Sequence, residues 1–188
     1  HIRYQDALDL LMVLKTELNI DGNPVPKFIE LVLAVKPDQV TFVPDAEDAI
    51  TSNAGWDTIK HESFLTEVIQ ECKNNGIRTS IFLDPDTKQI YGVKATGTDR
   101  IELYTEAFAR GFAKNPETAI ATYIEAANLA AELEIGLNAG HDLSLENIAY
   151  FHKYIPNLLE VSIGHALICE SLYFGLENII NQYRAKLT

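Results

Sequence analysis

Two stretches of this chain carry imidazoles where a strand would hand over to a helix: Glu134-Ile135-Gly136-Leu137-Asn138-Ala139-Gly140-His141 and Glu160-Val161-Ser162-Ile163-Gly164-His165. Each is a short apolar run that ends in Gly-His and leads straight into a helical pattern. In a βα unit that junction sets the histidine at the carboxyl end of the strand, and the glycine lets backbone approach whatever sits there. An imidazole so placed can move protons near neutral pH. The bland alternative is a solvated histidine at a helix start; its recurrence in successive units favours chemistry. The second junction, through Gly164 and His165, also points helix N-terminal N–H groups outward, a geometry that holds anions. Barrels often bind a phosphate there, after strands seven and eight.

Carboxylates complete the set. Glu102, in Ile101-Glu102-Leu103-Tyr104, alternates with apolar neighbours and is predicted to point inward, where a charge is costly unless paired or used. A buried ion pair with Arg100 or a lysine is the structural alternative. Asp21 ends a short strand ahead of Gly22, where an Asx-turn competes with a catalytic role. His61 and His152 fall on helices among polar neighbours and read as surface residues. No His/Cys/Asp/Glu set has zinc spacing, and no serine stands in a nucleophile elbow.

The elements that must position these groups follow from periodicity. Ala7, Leu10, Leu11, Leu14 and Leu18 predict a helix over 4–18. Strands are expected at about 17–21, 39–43, 78–83, 100–104, 133–138 and 159–163. Helices are expected over 26–35, around 64–72, 87–95, from 116 onward, over 144–154 and from the last strand to about 186, with 105–114 as loop. Asn115 and Pro116 read as N-cap and first helical residue, and Gly76 as a helix stop. Strict alternation requires a parallel sheet with right-handed crossovers. No Gly-rich dinucleotide fingerprint follows a strand, and polar residues recur at strand ends. Both favour a (β/α)8 TIM-type barrel over a doubly wound sheet. Six strands in 188 residues are fewer than a complete barrel of ~250 residues needs. The expectation is one domain, 1–188, incomplete at its N-terminus and representing strands 3–8. The polar segment 44–58 has the length of an active-site lid.

Composition narrows the partners. Fifteen basic against 27 acidic side chains give a formal charge of −12, with no Lys/Arg stripe, so nucleic acid and anionic membranes are poor partners. No apolar run reaches membrane-spanning length. Cys72 and Cys169 are read as buried free thiols in a reducing compartment. The chain starts at His1, not Met, and shows no signal peptide.

With these residues assembled, a resemblance emerges. Asn138-Ala139-Gly140-His141-Asp142-Leu143, Ile163-Gly164-His165-Ala166, Val43-Pro44-Asp45 with Thr51-Ser52-Asn53-Ala54-Gly55-Trp56-Asp57, and Ile101-Glu102-Leu103-Tyr104-Thr105 together resemble the pyridoxine 5′-phosphate synthase family, in order over nearly the whole chain. The resemblance implies a cytoplasmic (β/α)8 barrel that assembles as a homo-octamer built from dimers. It implies condensation of 3-amino-2-oxopropyl phosphate with 1-deoxy-D-xylulose 5-phosphate to pyridoxine 5′-phosphate, releasing phosphate and water, without a cofactor. By motif, His141 is similar to the family's proton donor and Glu102 to its transition-state-stabilising carboxylate. Gly164, His165 and Asp142 resemble the amino-ketone phosphate site, and Thr51 and His1 resemble contacts to the deoxyxylulose phosphate. Asp21 stands where the family has a Glu acting as proton acceptor. The family's Asn-Ile-Asp-His-type motif, an Arg beyond it and a second-strand His have no counterpart in this sequence. Rival readings are a non-catalytic phosphate-ligand-binding barrel and another phosphate-handling lyase or isomerase. No lysine stands at an inward strand end, which argues against a Schiff-base aldolase.

Overall fold

The computed structural model describes residues 3–45 and 52–188. Short β-branched runs form strands and the amphipathic segments between them form helices. Their order is α1 (Tyr4–Leu11), β1 (Asn19–Gly22), α2 (Pro26–Val35), β2 (Gln39–Phe42), α3 (Glu62–Asn74), β3 (Arg78–Leu83), α4 (Thr87–Thr96), β4 (Arg100–Tyr104), α5 (Glu106–Phe112), α6 (Pro116–Glu132), β5 (Gly136–His141), α7 (Ile148–Tyr154), β6 (Leu158–Ile163), α8 (His165–Phe174) and α9 (Leu176–Lys186). The six strands are all parallel and lie in sequence order.

The sheet curls. β2 and β6 are four strand positions apart, which on a flat sheet is roughly 19 Å. Yet the Gln39 amide donates to the Glu160 carboxylate at 3.3 Å. Residues that alternate along each strand therefore face two different environments. Val40, Phe42, Ile81, Leu83, Ile101, Leu103, Leu137 and Ala139 point outward and are buried under the helices. Fully burying such a side chain contributes roughly 1.5–3 kcal/mol, so this outer layer holds the fold together. The inward set is mostly polar: Asp21, Thr41, Ser80, Arg100, Glu102, Asn138 and Glu160, with Phe82 beside Glu102. The result is the α/β arc of a TIM-type barrel, open between β1 and β6 among the described residues.

Several expectations need correction. The first helix ends at Leu11, not near 18. The Leu18 N–H donates to Asp38 Oδ2 at 2.8 Å and its carbonyl accepts from the Gln39 N–H at 3.1 Å, which draws it into the sheet. Residues expected as loop at 105–114 include α5, driven by Phe108, which is buried against Tyr123 and Phe151. The last helix is two, broken at Gly175 with φ +82°. The fifth strand starts at Gly136 and runs through His141, because Glu134 takes a left-handed φ of +57° that closes α6 first. Cys72 is buried as expected, whereas Cys169 is exposed on α8.

The α6 cap is as read: the Asn115 side chain accepts from the Thr118 N–H at 3.0 Å and Pro116 follows it. Asn115→Ala is expected to cost about 1 kcal/mol, and Asn115→Asp almost nothing, in urea denaturation.

Candidate active site

Because all six strands are parallel, their carboxyl ends share one rim. His141 closes β5, and His165 opens α8 directly after β6, which pairs with β5 through His141↔Ile163. The two Gly-His junctions thus lie side by side. His141 has φ +98°, a conformation few side chains adopt, and such strain concentrates at functional positions. Its ring lies edge-on to Tyr104 at 4.9 Å, and Nδ1 is 2.6 Å from Asp142 Oδ2. The carboxylate fixes the ring through this nitrogen.

Gly140 explains itself by what lies above it. A Cβ there would stand 2.2 Å from Glu102 Oε1 and 2.9 Å from Ser162 Cβ. Glycine is the residue that lets the Glu102 carboxyl sit against β5. Glu102 is 3% exposed and points into the curl, as its parity predicted. Its Oε2 has no hydrogen-bond partner among the described residues. Burial pushes its carboxyl well above the usual range; the neighbouring Asp21 and Glu160 charges add to this, and a Ser162 hydrogen bond opposes it. The expected alternative, a pair with Arg100, is not formed: Arg100 binds Glu160 at 3.1 Å.

Asp21 lies at the open edge of the arc. The carboxyl is raised to about 6, first by crowding against protein, against which Thr41 hydrogen bonding acts, and then by the Glu160 charge. The side chain stays open to solvent along β1, which weakens the desolvation but not its direction. Asn19 Nδ2 donates to Asp21 Oδ1 at 3.0 Å.

Gly164 and His165 are exposed at the start of α8, and a Cβ on Gly164 would meet nothing within 4 Å. His1 and Thr51 lie outside the described residues, as does 46–51 of the expected lid. The rest of that segment is tied down over β2 and β3. Trp56 Nε1 donates to the Phe42 carbonyl at 3.1 Å, and the Gly55 N–H to Asp84 Oδ2 at 2.9 Å. The sequence reading missed Glu160 as a site neighbour and Gly140 as a steric necessity. The polar alternation of Glu160 and Ser162 along β6 was the available signal. Among the described residues no group of three or more His, Cys, Asp or Glu side chains could hold a metal ion, and no helix is long and apolar enough to cross a membrane.

A curled parallel sheet alternating with helices, with His141 and His165 at its carboxyl rim, defines an α/β-barrel protein. The fold matches phosphoribosylanthranilate isomerase from Thermotoga maritima, with TM-score 0.61 and 13% identity over 100% of this chain and 80% of that one. The enzyme of the same name from Thermococcus kodakaraensis gives 0.62 and 12% identity over 99% and 81%. These likenesses establish the fold alone. Residues 1–188 match the family described as pyridoxal phosphate biosynthesis protein PdxJ, and the chain belongs to that family. It is 63% identical to the pyridoxine 5′-phosphate synthase of Flavobacterium johnsoniae, over 100% of this chain and 79% of that protein. The synthase of the same name from Bacteroides fragilis is 56% identical over 98% and 78%.

Two stability effects follow. Gly140→Ala should displace Glu102 and cost about 1–3 kcal/mol in denaturant unfolding. Glu102 and Asp21 both have folded pKa values above their unfolded ones, so their contribution is fully present below the usual carboxylate range. It is lost as pH rises through the folded values, about 6 for Asp21 and higher than usual for Glu102. Glu102→Gln should therefore be more stable than the wild type at pH ~8, with the difference fading towards pH ~4, in urea midpoints across that range.

Proposed function

We propose that this chain is a pyridoxine 5′-phosphate synthase, an enzyme of vitamin B6 biosynthesis that joins 3-amino-2-oxopropyl phosphate to 1-deoxy-D-xylulose 5-phosphate. The observation that carries this is the family match across residues 1–188, with 63% identity to a synthase over the whole chain. Building the ring requires imine formation, enolisation, loss of phosphate and dehydration. Each step moves protons, which is what imidazole and carboxyl groups on one rim can do.

In this reading His141 is the proton donor, its ring oriented by Asp142 through Nδ1. Asp21 is the proton acceptor. A carboxyl raised to about 6 is largely ionised at neutral pH yet more basic than an ordinary aspartate, which suits a general base. Glu102 stabilises charge that develops on the substrate beside β5. Gly164 and His165 take the amino-ketone phosphate on the N–H groups of α8, and Asp142 adjoins them. His1 and Thr51 are assigned to the deoxyxylulose phosphate by family motif. The segment 44–58 is assigned as the lid that keeps water from the imine, with Trp56 bonded to the Phe42 carbonyl. The same reading includes the homo-octamer built from dimers and the cytoplasm as its location.

The direct test is to incubate the chain with both substrates and follow pyridoxine 5′-phosphate by mass; substrate binding without product would favour the non-catalytic barrel. His141→Asn should lower kcat by ~10²–10⁴-fold with little change in KM, because a general acid acts mainly in the transition state. Asp21→Asn should abolish turnover, while Asp21→Glu should change it only modestly. Full activity of Asp21→Asn would make Asp21 a turn residue and move the base elsewhere.

A further inference from the structure

Glu160 is not among the residues assigned to catalysis, yet it is the hub of the interior. It sits on β6 at the same register as Glu102, since both pair with Asn138 of β5. Its carboxylate accepts from Arg100 Nη1 at 3.1 Å, from Asn138 Nδ2 at 3.3 Å and from Gln39 Nε2 at 3.3 Å. Arg100 also donates to Asn138 Oδ1 at 3.2 Å, which locks the amide so that its N–H₂ faces Glu160. Glu102, at that same register on β4, receives none of these donors.

The other charges around Glu102 can be assigned element by element. β1 presents Asp21 and β6 presents Glu160, both anionic. β2, β3 and β5 present Thr41, Ser80, Phe82 and Asn138, which carry no charge. Arg78, at the start of β3, is bound by Glu17 and by Gln39 Oε1, the latter at 2.8 Å. Arg100, on Glu102's own strand, is committed to Glu160. His141 lies beyond Gly140, against Tyr104 and Asp142. Of the two carboxyl groups that share the Asn138 register, one has three charged or amide donors. The other has a Ser162 hydrogen bond and one buried oxygen without a partner among the described residues. A proton shared between them belongs on Glu102.

We propose that Glu160 is a positioning residue for Glu102: fixed in its ionised form by Arg100, Asn138 and Gln39, it keeps Glu102 protonated, so that the carboxyl beside Gly140 donates a hydrogen bond to the substrate. This rests on the synthase reading for what Glu102 acts upon, and it deepens that reading by assigning the carboxyl's working form. The substrate feature it recognises is an oxygen that gains negative charge, as in an enolate or a departing hydroxyl. Arg100 has a linked role, since neutralising Glu160 would release the guanidinium to face Glu102.

The test is a carboxyl ¹³C NMR titration of glutamate-labelled protein, with Glu102 assigned through Glu102→Gln. In the wild type Glu102 should remain protonated at neutral pH while Glu160 is ionised. Glu160→Gln removes the like charge and frees Arg100, so the Glu102 midpoint should fall by about one pH unit or more. The alkaline limb of kcat should move down with it while KM changes little. Glu160→Asp, which keeps the charge, should restore both. A Glu102 midpoint unmoved by Glu160→Gln, or a Glu102 already ionised at neutral pH in the wild type, would overturn the proposal. Should Glu160→Gln fail to fold, the order of the two wild-type midpoints decides, and Glu160 titrating above Glu102 overturns it. The titration needs no substrate. A wild-type chain that makes no pyridoxine 5′-phosphate would refute the functional reading, and the titration would still judge Glu160.

Discussion

The ion pair between Arg100 and Glu160 is the constraint on which the interior depends. It joins β4 to β6 at 3.1 Å, inside a sheet whose outer face is sealed by helices. A pair in such a place is weak evidence for stability, because desolvation offsets much of its attraction. Its effect is on arrangement. It commits Arg100, on Glu102's own strand, orients Asn138, and reaches Gln39 on β2 through Glu160. With that cation committed to Glu160, burial and then the neighbouring carboxylate charges push Glu102 and Asp21 towards holding protons.

The two faces of the sheet divide the labour. Outward aliphatics such as Val40, Ile81, Ile101 and Leu137 supply the burial that makes the strands persist. That surplus lets the inward face carry polar and charged groups that would not hold a fold by themselves. Gly140 marks where the two requirements meet. It is a strand residue without a side chain, placed so that Glu102 can occupy the space next to the strained His141. His141 with its strained backbone and the helix N-terminus at Gly164 then fall on one rim, as the parallel topology requires.

Much of this was legible in the sequence. Strict alternation led to a parallel barrel, the two Gly-His junctions were placed at strand carboxyl ends, and the parity of Glu102 led to its inward orientation. Asn115-Pro116 and Gly76 marked helix ends through side-chain capping and positive φ, which are local effects. What could not be read depends on contacts distant in sequence. Leu18 leaves the helical pattern because Asp38 captures its N–H, and α5 forms because Phe108 finds Tyr123 and Phe151. The partner of Arg100 was likewise decided by the curl, which brings Glu160 within reach while Glu102 on the same strand is passed over. Asp21 occupies the register that the family resemblance gave to a longer acid. Its place at the open edge of the arc could be known only from the folded sheet.

The central claim is that one rim holds a phosphate on α8 and presents its carbon skeleton to His141 and Glu102. A crystal structure of the chain soaked with 3-amino-2-oxopropyl phosphate tests this most directly. The phosphate should be bound by the N–H groups of Gly164 and His165, with the carbonyl carbon lying between the His141 ring and the Glu102 carboxyl. A ligand seated on the outer helices, or at the rim with its carbonyl turned away from both side chains, would contradict it.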